Sequence, residues 1–180
     1  MEFNFFTLVF LFAILTSVLA LLWLNFRQDK AIDDSFDSVP DGFSETIKLE
    51  DHQKAGRYTK AKLLLNHFEI IFSTIVLLVW TLGGAMNWID GYWSQKIDDP
   101  VLMGTFFVLS IMLIASFIDL PFSIYRNFVL EHKFGFNRMT AGTFAADLIK
   151  EVILSLILVL PLIYAILYLM NIESIGNYWW

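Results

Sequence analysis

The chain has 180 residues, 57% of them hydrophobic and 17% aromatic, with 12 Lys+Arg against 18 Asp+Glu and a net charge of −6. A soluble domain carries about 45–50% apolar and about 25% charged residues; here only 17% are charged, the mean hydropathy is +0.63, and the charges crowd between four long apolar stretches. This excludes an ordinary globular domain and a disordered chain, the absence of cysteine excludes a disulfide scaffold, and no basic surface for nucleic acid is present.

The first stretch, Phe3–Phe26, contains no charged residue. As a helix it extends roughly 36 Å, enough for a hydrocarbon core of about 30 Å. A cleaved signal peptide fits poorly, because Glu2 occupies the place of a basic n-region and the apolar run is too long. The second span is expected over 70–89, the third over 101–118, where Asp119 and Pro121 end it, and the fourth over 152–170. None alternates polar and apolar residues as barrel strands do, so helices are expected. Pro161 is expected to kink the last helix and Pro121 to bend the end of the third, since each removes a backbone donor and crowds the preceding turn. The expected fold class is an all-α, multi-pass membrane protein. It has four transmembrane helices, amphipathic cytoplasmic segments, and at Asn177-Tyr178-Trp179-Trp180 the doorstep of a possible fifth helix.

Lys and Arg set the expected orientation. Seven lie in the first loop (Arg27, Lys30, Lys48, Lys54, Arg57, Lys60, Lys62), four in the third (Arg126, Lys133, Arg138, Lys150) and only Lys96 in the second. The positive-inside rule then makes loops 27–67 and 120–150 cytoplasmic and both chain ends external. Trp88, Tyr92, Trp93, Tyr178, Trp179 and Trp180 gather on the external side, as an interfacial aromatic belt does.

The first loop is acidic and turn-rich up to Gly42. Its second half reads as a helix capped by Ser44 or Thr46 and running through Leu49, His52, Gln53 and Tyr58 into the second span. It is either a solvated connector or a segment that contacts substrate or partner. In the third loop Phe134 and Phe136 flank Gly135, which can take a left-handed turn at no steric cost. Thr140, or else Asn137, caps the next helix, where Phe144, Asp147 and Glu151 share a face beside Lys150. From spacing alone this is an amphipathic elbow at the membrane surface.

Catalytic constellations are missing. His52, His67 and His132 form no His-Glu-x-x-His pair, and His67-Phe68-Glu69 lacks the cysteines of a deaminase zinc site. Ser17, Ser73, Ser110, Ser116 and Ser155 lie in spans without an activating histidine. Asp119 has no second carboxylate for an aspartyl dyad, and Asp90 and Asp99 belong to the opposite side. Gly83-Gly84 offers a small packing surface at best.

The string Glu131-His132-Lys133-Phe134-Gly135-Phe136-Asn137, followed by Thr140, Phe144, Asp147 and Lys150, resembles the N-terminal membrane domain of the CAAX prenyl protease 1 family of zinc endopeptidases. Leu120-Pro121 and Tyr125 stand at the family's distance before it. Lys54-Ala55-Gly56-Arg57-Tyr58-Thr59, with Lys62 just after, is similar to the family's Lys-Ala-x-x-Tyr segment. The resemblance covers essentially all of 1–180, and the wording of the first loop is more bacterial than eukaryotic. It implies helices enclosing an intramembrane chamber, with zinc, His-Glu-x-x-His and a later glutamate in a C-terminal half that this chain does not contain. No catalytic or metal residue carries over. Glu131, Phe134, Gly135, Phe136, Asn137, Asp147 and Lys150 do carry over, with an expected role in bracing the cytoplasmic mouth of the chamber against that half. The implied partners are the lipid bilayer, the C-terminal catalytic domain of the same polypeptide and a peptide or protein substrate, in a bacterial inner membrane. The rival from another class is a short, non-enzymatic four-span scaffold or regulator derived from the same family. A transporter or channel subunit rests on Asp119 alone.

Overall fold

Asn4 starts the first helix: its side chain accepts from the Thr7 amide at 3.0 Å, a polar cap ahead of a uniformly apolar run. The structure, a computed structural model, describes residues 4–40 and 42–172. Among these the regular elements are all helical. They are α1 (Phe5–Asp34), α2 (Leu49–Thr81), α3 (Ala85–Ser94), α4 (Pro100–Ile124), a π-helical stretch at Tyr125–Glu131, α5 (His132–Phe134), α6 (Ala141–Leu154), a π-helical turn at Ser155–Val159 and α7 (Leu160–Asn171).

Four continuous helices are long and apolar enough to cross a membrane: Phe5–Asp34, Leu49–Thr81, Pro100–Phe134 and Ala141–Asn171. Their large apolar side chains remain uncovered by protein, Phe5 at 81%, Phe12 at 70% and Phe117 at 75% exposure. Such surface is stable only in hydrocarbon. The chain is an integral, multi-pass membrane protein.

The spans differ in extent from the sequence expectation, for identifiable reasons. Beyond Phe26, α1 continues two further turns to Asp34, because Asp29 and Asp33 reach Lys60 of α2 at 3.6 and 2.5 Å. The loop expected over 27–67 shrinks accordingly. Lys48 stands at the N-cap of α2 with no side-chain cap bond, so neither Ser44 nor Thr46 has that role; the Thr46 hydroxyl donates to the Phe43 carbonyl instead. The second span is not one helix over 70–89. α2 stops at Thr81 with Leu82 as its C-cap, and Gly84, left-handed at φ +81°, is the N-cap from which α3 starts. Gly83-Gly84 is therefore the break between two helices rather than a packing surface. To cross about 30 Å, α2 must draw in roughly a further two turns before Ile70. His67 is accommodated there because its Nδ1–H donates to the Leu63 carbonyl at 2.7 Å.

Pro121 does not end the third span. The Tyr125 amide donates to the Pro121 and Phe122 carbonyls, and the helix runs on through the π stretch. The loop expected over 120–150 reduces to 135–140. Pro161 follows directly on the π-helical turn Ser155–Val159, which sits where the missing donor and the ring's crowding are felt. The chain divides into two compact units, one holding the sequence up to Gly83 with Leu130–Phe136, the other Gly84–Val129 and the sequence from Asn137 on.

In the first unit α1 and α2 pair through polar as well as apolar contacts. Asn66 Nδ2 donates to Oδ1 of the buried Asn25 at 3.3 Å. In the second unit α4 packs on α3 and α7, burying Val101, Thr105 and Leu109 along one face at helical spacing.

Candidate functional site

The residues singled out by sequence converge in the first unit on Tyr58. This tyrosine lies in the polar half of α2, two turns after Glu50 and Asp51 of the first turn. Its hydroxyl donates to Glu131 Oε1 at 2.5 Å across 73 positions of sequence. Its ring meets Phe134 edge-on at a centroid distance of 5.3 Å and Phe136 at 4.9 Å. One side chain thus holds the carboxylate and both aromatics of the Glu131–Phe136 segment.

Gly135 makes this possible. It takes φ +79° at the end of α5 with open space where a Cβ would stand, so backbone freedom, not crowding, selects glycine. The turn closes when the Phe136 amide donates to the Glu131 carbonyl at 2.9 Å and the Gly135 amide to the His132 carbonyl at 3.1 Å. Phe134 and Phe136 are thereby presented to the same ring.

Cations surround the aromatic cluster. Lys54 Nζ lies 5.6 Å from the Phe136 centroid, Lys62 Nζ 5.2 Å from Tyr58 and Lys133 Nζ 5.9 Å from Phe134. Contacts of this length fall within the range of cation–π attraction. The polar end of the α1–α2 pair is tied further by His52, whose Nε2–H donates to the Ser35 carbonyl at 2.8 Å.

The remaining motif residues lie in the second unit. Asn137 Oδ1 accepts from the Met139 amide at 2.6 Å, forming a local turn, so it is not the cap. Thr140 is the cap: its Oγ1 accepts from the Thr143 amide at 3.1 Å and starts α6. Asp147 and Lys150 form an ion pair of 3.1 Å one turn apart. Phe144 packs edge-on against Phe128 at 5.4 Å, joining α6 to the π stretch.

The described aromatic residues of the expected belt differ in their packing. Trp88, 72% exposed, stacks at 6.2 Å on Tyr92 along α3. Trp93 turns instead to α4, stacking on Phe106 at 5.0 Å and donating from Nε1 to the Ser110 hydroxyl at 2.9 Å. Tyr178, Trp179 and Trp180 lie outside the described residues.

Sequence reading named Tyr58 and Glu131 in separate motifs but did not pair them. The signal was present as two aromatic-and-charged strings in the two basic loops, yet nothing local fixes a contact over such a separation. Among the described residues no group of three or more His, Cys, Asp or Glu is placed to hold a metal ion. These residues do not fit a zinc centre.

The architecture has known counterparts. Residues 28–180 match the family model described as CAAX prenyl protease N-terminal, five membrane helices. The chain is 31% identical over 157 residues to a CAAX prenyl protease 1 homolog of Dictyostelium discoideum, covering 83% of this chain and 36% of that protein. It is 27% identical over 169 residues to the CAAX prenyl protease 1 homolog of Homo sapiens, covering 87% and 34%. The crystal structure of S. mikatae Ste24p superposes with a TM-score of 0.78 at 23% identity over 89% of this chain and 38% of that one, a likeness of fold. The chain spans about a third of the length of the curated relatives it matches. With the family model matching most of its length, the chain belongs to the CAAX prenyl protease N-terminal family.

Proposed function

We propose that this chain is the membrane-embedded N-terminal domain of a zinc metalloendopeptidase, in which it supplies chamber wall and substrate guidance while the chemistry is carried by a C-terminal catalytic domain of the same polypeptide. The observation that carries this is extent: 83% of the chain aligns with only 36% of a CAAX prenyl protease 1 homolog. Within that division of labour, Tyr58, Glu131, Phe134 and Phe136 brace the mouth of the chamber. Zinc belongs to the catalytic half, and the substrate is a peptide or protein, prenylated or not. The basic loops face the cytoplasm of a bacterial inner membrane.

The complete reading frame tests the proposal. Protein purified from it is expected to carry a His-Glu-x-x-His helix downstream, to bind zinc, and to cleave peptides in a chelator-sensitive way. A complete frame without that helix, or a protein that binds no zinc, overturns the reading and leaves the non-enzymatic scaffold.

A further inference from the structure

Lys60 and the lysines of the aromatic cluster are satisfied differently. Lys60 is satisfied internally by Asp29 and Asp33 of α1. Lys54, Lys62 and Lys133 have no carboxylate within 4 Å among the described residues and rest on Phe136, Tyr58 and Phe134 instead. Glu131, the carboxylate bonded at the rings, accepts the Tyr58 hydroxyl. Three exposed ammonium groups therefore sit on one aromatic platform without a carboxylate counter-ion among the described residues.

Their height along α2 identifies what lies next to them. α2 ends at Thr81, and Leu63, directly after Lys62, is the first residue of the helix to be buried. About 20 residues are needed to cross the hydrocarbon core, which places Lys62 where hydrocarbon gives way to headgroups. Tyr58 stands one turn further out, about 6 Å, a distance comparable to the headgroup layer of roughly 5–8 Å on each side. Rings with one apolar and one polar end are favoured at this depth.

We propose that Lys54, Lys62 and Lys133, mounted on the Tyr58–Phe134–Phe136 rings, form a docking surface for acidic phospholipid headgroups of the leaflet at that end of α2. The lipid phosphate supplies the missing counter-ion, and the rings hold the lysine stems toward it. Basic residues at a membrane surface attract acidic lipids with about 1 kcal/mol each, close to a fivefold preference per lysine. The site does not depend on the proteolytic reading.

Native mass spectrometry of the protein purified from its complete reading frame, with equimolar phosphatidylglycerol and phosphatidylcholine, tests this. The wild type is expected to retain phosphatidylglycerol preferentially. Each Lys→Gln change at 54, 62 or 133 lowers the retained ratio by about fivefold, whereas Lys96→Gln leaves it unchanged. A triple Lys→Arg variant keeps the preference because the charge is kept, and carries the test together with Lys54→Gln if another single Gln variant does not fold. An unchanged ratio in the Gln variants overturns the proposal. So does a triple Arg variant that loses the preference, or displacement of the lipid by millimolar inorganic phosphate or by an acidic peptide.

Discussion

At the scale of single residues, Tyr58 combines two separable contributions. Its hydroxyl bonds a half-buried carboxylate, and hydrogen bonds to charged groups contribute about 1.5–3 kcal/mol. Its ring makes two edge-on aromatic contacts, each about 0.5–1.5 kcal/mol beyond area burial. Tyr58→Phe keeps the rings and removes the donor, so it is expected to destabilise by about 1–3 kcal/mol. Tyr58→Ala is expected to lose roughly 1–3 kcal/mol more. Denaturation of both variants in one detergent measures the two parts. Equal losses would mean that the ring contacts contribute nothing, and a Tyr58→Phe variant as stable as wild type would remove the hydrogen bond from the account. Gly135 was legible in advance because a left-handed turn between two aromatics has one natural occupant. The Tyr58–Glu131 contact was not, because no spacing rule reaches across 73 positions.

At the scale of elements, local chemistry that was readable concerned caps and pairs, and what escaped concerned where helices stop. Thr140 was the leading candidate for the cap and is the cap; Asp147 and Lys150, read only as neighbours on the helix, form an ion pair. Helix ends inside apolar sequence leave weaker marks, since Leu78 through Trp88 is nearly as apolar as the span before it. The break falls at Leu82–Gly84, where Gly84 takes a positive φ and starts α3. Interior prolines misled in the other direction, because a proline removes one hydrogen bond while its neighbours keep theirs, and the helix through Pro121 continues. The Asp147–Lys150 pair gives a quantitative expectation. Its side chains are 50% and 75% exposed, and exposed pairs one turn apart contribute about 0.2–0.5 kcal/mol. Asp147→Asn and Lys150→Gln should each lower the melting temperature by no more than about 2 °C. The double exchange Asp147→Lys with Lys150→Asp should recover part of that loss, though less than all because the reversed order is the poorer one. A single variant that melts more than about 4 °C lower would show a role beyond this pair.

At the scale of the whole molecule, the number of spans and the placement of charge determine sidedness together. Composition revealed the membrane because apolar surface of this extent has no other stable solvent, and four spanning helices of the described chain follow from length and polarity alone. An even number of crossings returns the chain to the side from which α1 starts. Eleven of the twelve basic residues are then expected to share one side, with Lys96 alone on the other, and the positive-inside rule predicts that this side faces the cytoplasm. The chain contains no cysteine, so a single thiol introduced into it reports its own location once any cysteine elsewhere in the polypeptide is replaced. Lys54→Cys and Arg138→Cys are expected to resist a membrane-impermeant maleimide added to intact cells and to react once the membrane is opened. Lys96→Cys, between α3 and α4, is expected to react in intact cells. The reverse pattern would invert the orientation while leaving the four crossings in place. Labelling of Lys54→Cys and Lys96→Cys from the same side would instead mean that α2 does not cross. That outcome would contradict its 33-residue length and the shift of its membrane segment toward Lys62, on which the placement of the aromatic platform at the headgroups also depends.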